Sequence, residues 1–161
     1  MNDTHPVMAR LKVLAIAVAT GRLGYVFLQG GELMEWKMSR RANRSEEAAR
    51  SYVKRLIERL EPNVVATEKV GKHSRKGDHT KRIIAAVARV AEQSLLLDVV
   101  VPRLQQFANK YAEAEALAER FPSLKRQVPR QPRIWESESY STIYFEAMAL
   151  ALAVIDQPQP T

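Results

Sequence analysis

The segment Thr142-Ile-Tyr-Phe-Glu-Ala-Met-Ala-Leu-Ala-Leu-Ala-Val-Ile155 constrains this chain more than any other, because it carries a single charged residue, Glu146. A helix that is apolar on every side has no face to give to water, so it must be packed inside a domain. Burying an ionised carboxylate there is costly unless something pairs with it. The positions three and four residues away are Thr142, Ile143, Ala149 and Leu150. None is a cation, so no helical ion pair forms. Several answers stay open: a basic side chain from elsewhere, a cluster of hydrogen-bond donors, water at the N-terminal turn where the helix dipole favours negative charge, or a metal ion shared with other carboxylates.

The rest of the chain supplies the packing partners. Leu11 to Ala19 is a continuous apolar run of the kind a central strand shows when both sheet faces are covered. Tyr25-Val-Phe-Leu28 reads as a second strand, Gly30-Gly31 as a tight hairpin turn, and Leu33 to Met38 as a third strand with more polar alternation. From Ser45 to Leu60, Ala49, Val53, Leu56 and Leu60 recur at helical spacing, with charged residues on the other face. Pro62 and Asn63 break the chain before a short strand, Val64 to Glu68. A helix over Thr80 to about Gln93, a strand over Leu95 to Val101 and a helix over Lys110 to Arg120 follow. Ala114, Leu117, Ala118 and Phe121 mark the inner face of the last of these, and residues 122 to 137, with three prolines, read as an irregular loop. One domain over residues 11–156 is expected, with 1–10 and 157–161 as flexible termini.

Arg10 and Lys12 ahead of Val13 to Ala19, with alanines at 17 and 19, have the layout of a secretory leader. The apolar run is short for that purpose, Asp3 lies in what would be its basic region, and strand-like sequence follows at once. A buried strand is the better reading. No run approaches the roughly 20 apolar residues of a membrane span. The absence of cysteine excludes disulfides, thiolate metal sites and cysteine nucleophiles, and it fits a reducing, cytoplasmic location.

A formal net charge of +7 points to a polyanionic partner. Residues 69 to 82 are the most basic stretch, with Lys69, Lys72, Arg75, Lys76, Lys81 and Arg82 against one acid, Asp78. They begin immediately after Glu68 and are suited to holding phosphates; the bland alternative is a solvated charged loop. His73 and His79 meet no metal-ligand spacing and are expected to be ordinary loop histidines. Trp36 is expected in the core, while Trp135, beside Arg133, is either a packing residue or a stacking platform for a base.

The element order, three meandering strands, helix, strand, helix, strand, helix, helix, resembles the ribonuclease H fold, an α/β mixed sheet with flanking helices. Ile16-Ala-Val-Ala-Thr-Gly-Arg-Leu-Gly-Tyr25 resembles the opening strand and turn of RuvC-like Holliday-junction resolvases. Pro62-Asn-Val-Val-Ala-Thr-Glu68 is similar to their fourth strand, Asn109 to Arg120 to their lysine-containing helix, and Phe145-Glu-Ala-Met-Ala-Leu-Ala-Leu152 to their closing helix. The resemblance spans residues 11 to 155. It implies that Glu68 and Glu146 are ligands of magnesium or manganese. In that superfamily two ions about 4 Å apart activate water and stabilise the leaving oxygen of a phosphodiester. It also implies a nucleic-acid partner, DNA rather than RNA, contacted by the basic stretch and Lys110.

The chain departs from the family at its leading acid, where Ala17 stands, and the further acid three residues before the last falls on Ile143. Either the catalytic set is incomplete, or Glu136 or Glu138 from the preceding loop is recruited. Three functions follow: a metal-dependent endonuclease on branched or hybrid nucleic acid, a binding module that keeps the basic surface without the chemistry, or an assembly module dimerising through the apolar face around Ile83, Ile84 and Val87.

Overall fold

The computed structural model describes residues 11–70, 76–94, 97–102, 110–133 and 139–156, without the side chains of 97–102. Five strands form one sheet in the order β3-β2-β1-β4-β5. β1 (Lys12–Ala19) is central, buried from Val13 to Val18. β2 (Arg22–Gln29) pairs with it antiparallel over its full length, from Lys12 opposite Gln29 to Ala19 opposite Arg22. The second strand is therefore longer than its apolar centre suggests, since ladder pairing extends through the polar ends. Gly30 and Gly31 have φ of 60° and 81°, the mirror-image turn that matches strand twist. β3 (Glu32–Ser39) returns along β2 as an edge strand, half exposed, which accounts for its polar alternation. Trp36 on it is partly buried against the core rather than inside it.

β4 (Val64–Lys69) runs parallel to β1, with Val13 opposite Val64 and Ile16 opposite Thr67, and β5 (Leu97–Pro102) runs parallel to β4. Parallel neighbours need a crossover. α1 (Glu46–Leu60) and α2 (Asp78–Gln93) supply it, packed on the face that carries Leu14, Ile16, Val18, Tyr25, Phe27 and Val65. Ser45 caps α1, its Oγ accepting from Ala48 N at 3.0 Å, and Glu46 and Glu47 follow in the first turn where the helix dipole favours acids. α2 begins at Asp78, two residues ahead of the apolar periodicity.

Ile83, Ile84 and Val87 lie on the inner face of α2 and are 0%, 4% and 1% exposed. They are core residues of this sheet, so they offer no dimerisation face. The opposite sheet face, with Val13, Ala15, Ala17, Val26, Leu28, Val64 and Ala66, is covered by α3 (Lys110–Arg120) and α4 (Thr142–Ile155). α4 is the apolar segment of the sequence, and it packs across β1 and β2. Residues 122–127, expected to be irregular, form a 3-10 turn whose Leu124 is fully buried. Arg120 in α3 clamps Asp156 at the end of α4 with two bonds of 2.8 and 3.0 Å.

A polar cluster ties α1 to the edge of the sheet. Arg59 donates to Glu35 Oε1 and Oε2 at 3.2 and 2.7 Å, and the buried Tyr25 hydroxyl donates to Glu35 Oε2 at 2.6 Å. The Arg59 guanidinium holds the Glu35 carboxyl below the ordinary glutamate range, while burial pushes the Tyr25 hydroxyl well above its own. Among the described residues no helix is long and apolar enough to cross a membrane.

Candidate nucleic-acid interface

β1 and β4 run in the same direction and β2 runs against them, so the ends of β1, β3 and β4 gather at one end of the sheet with the start of β2. The site positions meet there. Ala17 is 1% exposed and sits opposite Gly24 of β2. Ile143, in the first turn of α4, lies on Gly24 so tightly that a Cβ there would be 2.7 Å from Ile143 Cγ1 and 2.8 Å from Cγ2. The two positions where the resemblance sets acids thus carry packed hydrocarbon.

Glu68 follows Thr67, the partner of Ile16, and so stands beside Ala17 on the α4 side of the sheet. Its side chain is 10% exposed. The Lys76 ammonium stands 2.5 Å from Glu68 Oε2 and donates to the carbonyl of Val18 at 2.8 Å. A cation from the segment ahead of α2 is therefore fixed between the ends of β1 and β4.

Glu146 lies one turn into α4, half-buried, with its Oε2 withdrawn from solvent. It lines a small pocket with Lys110, Glu113, Ala114, Pro129, Thr142 and Phe145. A lysine from another element thus shares its surroundings. Of the two glutamates singled out in the sequence, Glu68 is bonded to Lys76, and Glu146 shares its pocket with Lys110 and Glu113.

The same end carries a basic turn. Arg41–Asn43 form a 3-10 turn after β3, and Arg40, Arg41 and Arg44 are exposed around it. Asn43 is 3% exposed because its Nδ2 donates to the carbonyls of Ala19 and Arg22, both at 3.1 Å, while His79 Nε2 donates to the Asn43 carbonyl at 2.7 Å. That bond fixes the His79 tautomer and gives this histidine a structural task. Arg40 Nη2 donates to the Tyr140 hydroxyl at 3.1 Å, and the guanidinium groups of Arg40 and Arg22 lie 4.8 and 5.2 Å from the centre of the Tyr140 ring. Arg22 also donates to Thr142 Oγ1 at 2.9 Å, tying the β1–β2 turn to the start of α4.

Solved structures share this architecture. RuvC of Thermus thermophilus in complex with Holliday junction substrate superposes with a TM-score of 0.63 at 17% identity, over 94% of this chain and 100% of that one. The Fowlpox virus resolvase with substrate Holliday junction DNA gives 0.58 at 13% identity, over 91% and 97%. The yeast mitochondrial Holliday junction resolvase Ydc2 gives 0.58 at 12%, over 93% and 81%. The chain has the RuvC-type, ribonuclease H-like fold. Neither a protein-family model nor a curated protein sequence matches it.

On this RuvC-type fold the described residues do not fit a pair of divalent ions. Magnesium asks for near-octahedral oxygen coordination. Ala17 and Ile143 offer no side-chain oxygen, Glu68 is engaged by Lys76, and Glu146 shares a pocket with Lys110. Among the described residues no group of three or more histidine or carboxylate side chains could hold a metal. Glu136 and Glu138, the acids considered for recruitment, lie outside the described residues, as do Trp135, Lys72, His73 and Arg75.

Of the expected phosphate-binding residues, Lys69 is exposed at the end of β4, Lys81 and Arg82 lie in the opening turns of α2, and Lys110 starts α3. Arg40, Arg41, Arg44 and Tyr140 were not among them. The run Ser39-Arg-Arg-Ala-Asn-Arg44 is visible in the sequence as a second basic cluster, but only the antiparallel return of β3 brings it to the end of the sheet where Lys69 and Lys76 stand.

Proposed function

We propose that this protein binds nucleic acid, branched DNA above all, through the basic end of a resolvase-type sheet, as a relative of the metal-dependent junction endonucleases. The observation that carries the reading is the gathering of Arg40, Arg41, Arg44, Lys69 and Lys76 at one end of the fold. Two of the structural neighbours described above hold Holliday junction DNA. Phosphates are recognised by such exposed arginines and lysines.

The test is binding to a four-way junction, a linear duplex of the same sequence and single-stranded DNA and RNA, each over a range of salt. The junction is expected to bind tightest, with affinity falling steeply as salt rises because counterions are released from neutralised phosphates. Binding that is absent, or indifferent to salt, overturns the reading. Tighter binding to RNA reassigns the partner. Cleavage of any of these substrates in magnesium or manganese identifies a working nuclease.

A further inference from the structure

We infer that Lys76 occupies the place of a divalent cation between the ends of β1 and β4, so that this end of the fold holds DNA without a metal ion. The inference takes its ligand from the nucleic-acid reading above; the rest stands on the geometry around Lys76. Two oxygens converge on the ammonium, Glu68 Oε2 at 2.5 Å and the Val18 main-chain carbonyl at 2.8 Å. A carboxylate and a backbone carbonyl are the oxygen types that hard cations take as ligands. Here an organic cation has them. It is a side chain of the chain itself, and it is withdrawn from water, with 21% of the Lys76 side chain and 10% of the Glu68 side chain exposed.

Three further observations bear on the same point. First, the charge is already balanced, because one carboxylate meets one ammonium in a close contact of low solvent access. A divalent ion at Glu68 would either expel Lys76 or sit beside a like charge in a poorly screened place. Second, the neighbouring strand position is Ala17, 1% exposed, and the helix position facing it is Ile143, packed on Gly24. Among the described residues, neither of these positions supplies a carboxylate to offset a second positive ion. Third, Glu146 lines a separate pocket, where Lys110 and Glu113 stand with it. In this arrangement Lys76 takes over part of a metal's role at Glu68: it neutralises the carboxylate and bridges it to β1, so that no bare negative charge faces arriving DNA phosphate.

The full chain decides this in two measurements. Manganese titration followed by electron paramagnetic resonance reads free Mn2+ directly, without reference to cleavage. The wild type is expected to leave the free-ion signal undiminished at millimolar Mn2+. Junction binding is expected in EDTA, with millimolar magnesium acting only as a competing counterion for the phosphates. Lys76→Met is expected to weaken junction binding, because it leaves the Glu68 carboxylate uncompensated where phosphate arrives, and Lys76→Arg to restore it. One equivalent of Mn2+ taken up by the wild type and lost in Glu68→Gln overturns the inference, as does junction binding that requires magnesium. If Lys76→Met fails to fold, the wild-type Mn2+ titration decides alone. Absence of any DNA binding with or without magnesium removes the proposed function but leaves the manganese result to judge Lys76.

Discussion

Ile143 rests on Gly24 with no room between them: a methyl group on that glycine would meet Ile143 Cγ1 at 2.7 Å. The contact matters because Gly24 is the register partner of Ala17, so three small or apolar residues close the place where the resemblance sets two acids. Gly24→Ala is expected to destabilise the protein by about 1–3 kcal/mol through overpacking. Adding Ile143→Ala should recover part of that loss, a non-additivity read from urea denaturation of the two single variants and the double. Additive losses would show that the two residues do not share this space.

Restoring the first acid should not restore a nuclease. Ala17→Asp introduces a carboxylate at a position 1% exposed, under α4 and beside Glu68. Burial of an ion without a partner lowers stability by several kcal/mol, or forces the group to take up a proton. The expected outcome is a lower melting temperature and an uncut junction in magnesium. Magnesium-dependent cleavage by this single variant would show that one bridging acid was all the site lacked.

Asn43 is expected to be the most sensitive polar residue at this end. Asn43→Ala strips donors from the carbonyls of Ala19 and Arg22. Leaving buried acceptors unsatisfied costs about 1–3 kcal/mol, measurable by thermal or chemical unfolding. The loss should be accompanied by weaker junction binding, because the arginine turn is anchored by these bonds. Unchanged binding would detach Arg40, Arg41 and Arg44 from the interface.

Those arginines also make a prediction about salt. Replacing Arg40, Arg41 and Arg44 together by Gln should flatten the dependence of log affinity on log salt, by about 0.9 for each arginine that meets a phosphate. A slope identical to that of the wild type would place the DNA elsewhere.

Acid should loosen the tie between α1 and the sheet edge. The Glu35 carboxyl is held below its ordinary range, first by the hydrogen bond from Arg59. A depressed carboxylate contributes stability above its unfolded value and loses that contribution as pH falls through its folded value. The stability gap between wild type and Glu35→Gln should therefore be full at neutral pH and close as the pH drops below the ordinary carboxylate range. A gap that stays constant to low pH would show that the cluster acts by packing alone.

The sheet was legible from the sequence because its signals are local. The apolar run of β1, the paired glycines after β2 and the periodicity of α1 each report their own element, and residues 110–120 and 142–155 fall where the pattern places helices. Strand ends were less legible, since Arg22 and Gln29 pair through backbone groups that side-chain chemistry does not announce. The site was legible only in part. Ala17 and Ile143 could be seen to depart from an acidic pattern, but nothing local says that Ile143 would close over Gly24, or that Lys76 would reach back to Glu68 and Val18. The surroundings of Glu146 were hidden for the same reason: Lys110, which lines the same pocket, comes from a helix far away in the chain. The arginines after β3 were visible as residues yet not as an interface, since their place depends on two strand reversals.

The bonds of Asn43 join three pieces of chain, the turn after β1, the arginine turn and the first turn of α2, which carries His79. The backbone that bears the arginines is therefore tied to the end of β1 and to the start of α2, so a phosphate backbone laid across this end meets side chains whose roots are held by one buried amide.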